Sequence, residues 1–208
     1  MKFALAGWLL APLSATALAA PAIAAAPAPD ADLAKVQAHL RGIESMVAEF
    51  SQTDRNGKVV TGTLTIKKPG RIRFQYEKGV PILIVGDGKA LWFIDYSVRQ
   101  KQRWPIGNSP LGVLINPDSD LTRFAHVVPG ADPRLLSVEA RDLRHPEYGR
   151  ITLTFSRGGN GPAGLTLLGW VALDAQNNRT IVRLSNPRFG VPIAGNAFDW
   201  VDPTRRAR

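Results

Sequence analysis

The chain has 208 residues, 26 Lys and Arg against 17 Asp and Glu, and 45% apolar residues, which is room for one domain with a core and too apolar for a disordered chain. It contains no cysteine, which excludes disulfides, thiolate metal sites, a Cys nucleophile and a lipid anchored on an N-terminal cysteine. Only His39, His126 and His145 could supply imidazole ligands, so no metal and no cofactor is expected.

Lys2 precedes the apolar run Phe3 to Ala11, and small residues follow, with several Ala-x-Ala-like sites between Ala17 and Ala26. A positive start, a short apolar stretch and small residues describe a secretory signal peptide over residues 1–26, cleaved somewhere in 19–26. The apolar run is shorter than the roughly 20 residues a membrane-spanning helix needs. Residues 27–208 then form one mature domain, and losing Lys2 takes the net charge from +9 to +8. Export argues against nucleic acid as the partner of this basic domain. It leaves an anionic membrane surface or an acidic protein.

Asp30 or Asp32 can cap a helix whose apolar face carries Leu33, Val36, Leu40, Ile43, Val47 and Phe50, with Gly42 as a mild interruption. The period then changes to two. Asn56-Gly57 marks a turn, Val60, Leu64 and Ile66 alternate with threonines, and Lys67-Lys68-Pro69-Gly70 turns the chain. Ile72, Phe74 and Tyr76 alternate with Arg71, Arg73, Gln75 and Glu77. Pro81 to Val85 reads as a buried strand, and Gly86-Asp87-Gly88-Lys89 as a turn. Leu91 to Tyr96 and Val98 to Trp104 read as two more strands. The close spacing favours an antiparallel meander. Prolines punctuate 105–133, with short apolar helices expected at 111–115 and from Leu121 to Val127. Strands resume at Leu135–Ala140, Gly149–Phe155, Leu165–Leu173, Thr180–Asn186 and Phe198–Val201, with Asn177-Asn178 as a hairpin turn.

Signatures of catalysis are missing: the sequence holds no G-x-S-x-G, no H-E-x-x-H, no P-loop and no G-x-G-x-x-G opening a helix. Asp54, Asp87, Asp118 and Asp120 sit in turns, where carboxylates cap backbone more often than they catalyse. No catalytic residue is assigned. The apolar strands admit two accounts: an ordinary half-buried sheet under a helix, or a curved sheet whose concave face holds an apolar ligand.

Several segments occur in a telling order. They are Phe50-Ser51-Gln52, then Gly62 to Phe74 with Lys67-Lys68-Pro69-Gly70, then Val85 to Phe93 with Asp87-Gly88-Lys89, then Asn108 to Leu111, and Phe198-Asp199-Trp200 near the end. The sequence resembles the periplasmic outer-membrane lipoprotein carrier family, LolA, across nearly the whole mature chain. The resemblance implies a mainly β fold with flanking α: an incompletely closed antiparallel β-barrel with a helical lid over an apolar cavity. It implies a periplasmic monomer that takes acylated lipoproteins from an inner-membrane ABC transporter and delivers them to an outer-membrane acceptor. Holding a long acyl chain in water costs on the order of 10 kcal/mol, at about 0.8 kcal/mol per methylene, so a carrier needs such a cavity. An envelope sensor or scaffold, or a carrier of another amphiphile such as a glycolipid, would use the same fold.

Within the resemblance, Ile66, Ile72, Phe74, Leu83, Val85, Leu91, Phe93 and Leu111 are the expected cavity lining, and 105–128 the expected lid. The family's basic residue before the motif proline, usually Arg and tied to lid closure and release, is Lys68 here. Lysine keeps the charge and loses the planar five-donor fork. Arg71 and Arg73 stand either at the mouth or as ordinary solvated cations. The lack of a cysteine separates a diffusing carrier from a lipid-anchored receptor of the same fold.

Overall fold

A computed structural model describes residues 29–105, 112–116 and 120–204. Helix α1 (Pro29–Gly42) leads into β1 (Ser45–Thr53), β2 (Val59–Lys67), β3 (Arg71–Tyr76), β4 (Ile82–Asp87), β5 (Ala90–Asp95) and β6 (Gln100–Pro105). A four-residue helix, α2 (Gly112–Ile115), and a 3-10 turn at Leu121–Arg123 precede β7 (Ala125–Val128). The chain then runs through β8 (Leu135–Arg141), β9 (Arg150–Arg157), β10 (Leu165–Leu173) and β11 (Arg179–Phe189).

All eleven strands belong to one antiparallel sheet, ordered β6-β5-β4-β3-β2-β1-β11-β10-β9-β8-β7. Two meanders are joined where β1 pairs with β11, and β6 and β7 are left as edges. The sheet is therefore not closed. It is strongly curled, as one contact shows. Phe74 on β3 and Trp170 on β10 lie four ladder steps apart, about 19 Å in a flat sheet. Their ring centroids are 6.0 Å apart. Only a trough brings them together, and the main core fills that trough.

Helix α1 lies in the trough, with Leu33, Val36 and Leu40 in the main core. Asp32 does not cap it. Its carboxylate sits inside the helix and receives two bonds of 2.6 Å from Arg157 at the end of β9. The helix ends at Gly42 rather than running on to Phe50. A side-chain carbon at Gly42 would stand 2.7 Å from Pro162, so glycine lets the helix end meet that turn. Met46, Ala48 and Phe50 are instead the alternate buried positions of β1. Spacings of four residues fit both periods, which is why the sequence pattern overran the boundary.

Two further expectations are corrected. The segment Leu121 to Val127 is a single 3-10 turn followed by edge strand β7, with no longer helix. Phe198 to Val201 forms no strand; residues 190–204 run as turns and extended chain. They lie across the outer face of the sheet, where Phe198, Ile193, Ala197 and Trp200 cover Leu83, Val85 and Ile94. The 111–115 helix is present as α2, and all four of its residues are buried.

Candidate functional site

The candidate site is the inner face of the trough. Register assigns each side chain to a face, because residues directly opposite on neighbouring strands share one. Ile66 pairs with Ile72, Phe74 with Ile84, and Ile84 with Phe93. Gly86 stands between Ile72 and Leu91. Ile66, Ile72, Phe74 and Leu91 are buried together on this face, and Phe93 is half-buried toward edge β6. Leu83 and Val85 differ by parity: they pair with Gln75 and Arg73 and point to the outer face, beneath the C-terminal segment. Leu111 lies outside the described residues.

Of the aromatic cluster on the inner face, Phe74 is among the expected lining residues and Phe50, Tyr76 and Trp170 are not. Phe50 meets Phe74 at 5.4 Å and Tyr76 at 5.2 Å, both edge-to-face. Trp170 closes the cluster from the far wall. The signal was available, since Phe50, Phe74 and Tyr76 all fall on the buried parity of their strands. Tyr76 donates its hydroxyl to Gln52 Oε1 at 2.8 Å. Burial pushes that hydroxyl up to about 12, so it stays a neutral donor. Toward β6 the cover thins. Ile82, Ile84 and Phe93 are half-buried and Trp104 is exposed.

One turn holds both helices over this face. Lys68 donates from its ammonium to the Leu40 carbonyl at the end of α1. Gly70 donates its backbone N–H to Ile115 of α2 at 3.0 Å. The Gly70 carbonyl in turn accepts from Gly88 at 3.2 Å. A side-chain carbon at Gly70 would lie 2.9 Å from the Gly88 backbone, and both glycines hold positive φ. The Pro-Gly and Asp-Gly turns are thus interlocked, which explains why both need glycine. Burial lowers the Lys68 ammonium to about 8. An open groove of about 580 Å³ lies beside the turn, between Arg41, Glu44, Lys67, Lys68, Pro69 and the exit of β11 at Gly190 to Ile193.

His39 anchors the middle of this arrangement. Its Nδ1 donates to the Pro162 carbonyl at 2.8 Å, and its ring packs edge-on to Phe155 at 5.3 Å. Nε2 is buried without a bonding partner. Burial, with a smaller push from Lys68, holds the imidazole below its usual value and so neutral. Arg71 and Arg73 are not at the mouth. Arg71 lies over the Phe198 ring at 5.9 Å, and Arg73 donates to the Asp199 carbonyl at 2.8 Å, so both fasten the C-terminal segment.

Among the described residues no three His, Cys, Asp or Glu side chains gather as a metal site. None of the described helices is long and apolar enough to cross a membrane. The arrangement is a curled sheet with an aromatic-lined inner face and two helices tied to a single turn.

The family described as outer membrane lipoprotein carrier protein LolA matches residues 41–200, and the chain belongs to it. Three relatives, each named outer-membrane lipoprotein carrier protein, fit that placing. One from Chromobacterium violaceum is 40% identical over 48% of this chain and 52% of its own, so the match spans about half that relative's length. One from Xanthomonas oryzae is 29% identical over 77% of this chain and 79% of its own. One from Legionella pneumophila is 28% identical over 81% and 84%. Among solved structures, a LolA superfamily protein from Nitrosomonas europaea aligns at TM-score 0.46 and 12% identity, over 83% of this chain and 97% of its own. The Pseudomonas aeruginosa MucA/MucB complex aligns at 0.49 and 12%, over 83% and 62%. The family is one of carriers, and it supports a carrier role for this chain.

Proposed function

We propose that this protein is exported to the periplasm, loses its leader within residues 1–26, and works as a single diffusing domain that carries acylated lipoproteins from the inner to the outer membrane. In this reading the acyl chains lie against Ile66, Ile72, Phe74, Leu91 and Phe93 on the inner face. An inner-membrane ABC transporter loads them and an outer-membrane acceptor receives them. The observation that carries the reading is the inner face itself. Its aromatic core of Phe50, Phe74, Tyr76 and Trp170 passes into half-buried Ile84 and Phe93 without a polar break. The face is closed by core packing at its aromatic end and only partly covered toward β6, and that open end is what favours an apolar guest.

Helices α1 and α2 form the cover, and Lys68 and Gly70 set how firmly it stays down. Lys68 holds α1 with one bond, and Gly70 holds α2 through backbone alone. The family's arginine could divide its donors among several carbonyls, so lysine gives a lighter catch. Loading parts the helices from the sheet, and unloading lets them return to bury Leu40, Leu114 and Ile115.

The test is release of lipoproteins from spheroplasts by the purified mature domain. Lipoproteins should appear in the soluble fraction as a complex with the protein, and a Phe93→Asp variant should release few. If lipoproteins stay in the inner membrane while the protein binds a specific partner protein, the sensor or scaffold reading replaces this one. Mass spectrometry of lipid bound to protein taken from its own periplasm separates a lipoprotein cargo from a glycolipid.

A further inference from the structure

We infer that the β5–β6 hairpin and edge strand β6 form a surface that docks reversibly on an anionic phospholipid bilayer. Tyr96, Val98 and Trp104 are 38%, 58% and 42% exposed, an unusual run of large apolar side chains between positions 96 and 104. Arg99, Lys101 and Arg103 lie between Val98 and Trp104; Lys101 and Arg103 face outward opposite Ile94 and Trp92, and Trp104 faces inward opposite Leu91, so cationic and apolar groups flank the same edge. The segment's own carboxylate, Asp95, is engaged within the hairpin turn. It accepts from the Ser97 backbone at 2.9 Å and the Ser97 hydroxyl at 2.5 Å. Lys101 is paired with Asp202, which leaves Arg99 and Arg103 as the outward charges.

The ridge is backed by a stiff platform. Lys101 stands over Trp92 and Trp200 at 5.9 and 5.8 Å, and Arg103 over Trp92 at 5.9 Å. Trp92 and Trp200 are themselves 5.2 Å apart. Charges on an edge strand have an ordinary use, since they stop sheets from pairing edge to edge. That accounts for Lys101 and Arg103. It does not account for Tyr96, Val98 and Trp104, which add exposed apolar area where protection against aggregation calls for less.

Amphipathic Trp and Tyr rings settle at the head-group level of a bilayer, and Arg side chains are drawn to anionic lipid there. The anchors sit on a hairpin tip and along the unpaired edge strand β6. Exposed Trp and Tyr rings beside arginines match the chemistry of an anionic head-group layer. The mature domain's positive charge acts in the same sense. Trp104 also touches the inner face, its ring 6.3 Å from Phe93. Only this last point rests on the carrier reading: a chain leaving the bilayer at the ridge would meet Trp104, then Phe93, then the trough.

The chain has no cysteine, so a label can be placed at one position. Val98→Cys, carrying an environment-sensitive fluorophore, should brighten and shift to the blue with phosphatidylglycerol vesicles and stay unchanged with phosphatidylcholine vesicles. Ala175→Cys, at an exposed turn, should not respond to either. In co-flotation, Arg99→Glu with Arg103→Glu should weaken binding to the anionic vesicles by roughly tenfold or more. The same charge change at Arg179 and Arg183 on β11 should cost about twofold or less, because those cations are remote from the ridge. Val98→Ser with Trp104→Ser, which changes no charge, should also weaken binding. Equal loss from both arginine pairs, an equal response at positions 98 and 175, or no binding to anionic vesicles overturns the proposal. Binding of an apolar dye, measured on the two arginine variants without vesicles, reports the carrier reading separately and should survive both changes.

Discussion

Phe50 and Tyr76 sit on strands that are not neighbours, yet their rings meet at 5.2 Å. The strand between them contributes Gly62, paired with Phe50 on one side and Tyr76 on the other. Two ladder steps separate the backbones by about 9.6 Å, and the missing side chain lets the rings close over the gap. The glycine of this motif is a packing requirement of the aromatic wall.

Replacing Gly62 should therefore be costly. A side-chain carbon there would lie 2.2 Å from the Gln75 carbonyl and 2.9 Å from Phe50. Gly62→Ala should destabilise the protein by about 3 kcal/mol in a denaturant titration, since backbone must move. Gly130→Ala meets nothing within 4 Å and should change stability by about 0.5 kcal/mol or less.

The fork between Arg157 and Asp32 pins the first turns of α1 to the sheet. Its hydrogen bonds hold the Asp32 carboxyl below the usual carboxylate range. A depressed carboxyl contributes stability that is complete above the unfolded value near 3.9 and is lost as pH falls through the folded value. Arg157→Met should cost about 2 kcal/mol at neutral pH. Asp32→Asn should be less stable at pH 7 and should lose less on acidification. A loss at acid pH equal to that of the unaltered protein would show that Asp32 is not in the fork.

Lys68 predicts an alkaline effect. Burial lowers its ammonium to about 8 against about 10.4 when unfolded. Below pH 8 both states are charged and the folded state carries the full desolvation penalty. Between those values only the unfolded state holds the proton, so this group adds stability as pH rises. Lys68→Leu should flatten that rise in thermal melts across the alkaline range. It should also speed amide exchange at the end of α1, while Lys68→Arg should slow it.

The parity of β4 separates two predicted lining residues from the rest. Leu83→Ser should reduce stability by about 2 kcal/mol through the outer cluster and leave dye binding intact. Phe93→Asp, half-buried on the inner face, should reduce dye affinity about tenfold with a small change in the melt. Loss of dye binding in Leu83→Ser at temperatures where the protein is folded would place the ligand elsewhere.

The strands were largely legible because β2 and β3 carry a period-two pattern and the turns are marked by Asn-Gly, Pro-Gly and Asp-Gly. The face of each residue was harder to read. Pro81 to Val85 is apolar at every position, so the alternation that would assign Leu83 and Val85 is absent. It emerges only from pairing Leu83 with Gln75 and Phe74 with Ile84. The end of α1 was hidden because Ile43, Val47 and Phe50 keep up the three- and four-residue spacing of a helix beyond Gly42. The fastening of α1 by Arg157 and Lys68 joins positions far apart in the chain, which no local pattern encodes. The family motifs, by contrast, sit where glycine and proline shape backbone, and these are the parts a sequence shows most plainly.

The unpaired edges β6 and β7 have a mechanical consequence. In a closed barrel the bore is set by strand number and shear, so it cannot widen without breaking a seam of backbone hydrogen bonds. Here the seam is already open. The wall can flatten or tighten by spreading small changes of twist over eleven strands, and every ladder stays intact. Girth is thus set by strand twist and not by a closed hydrogen-bonded seam.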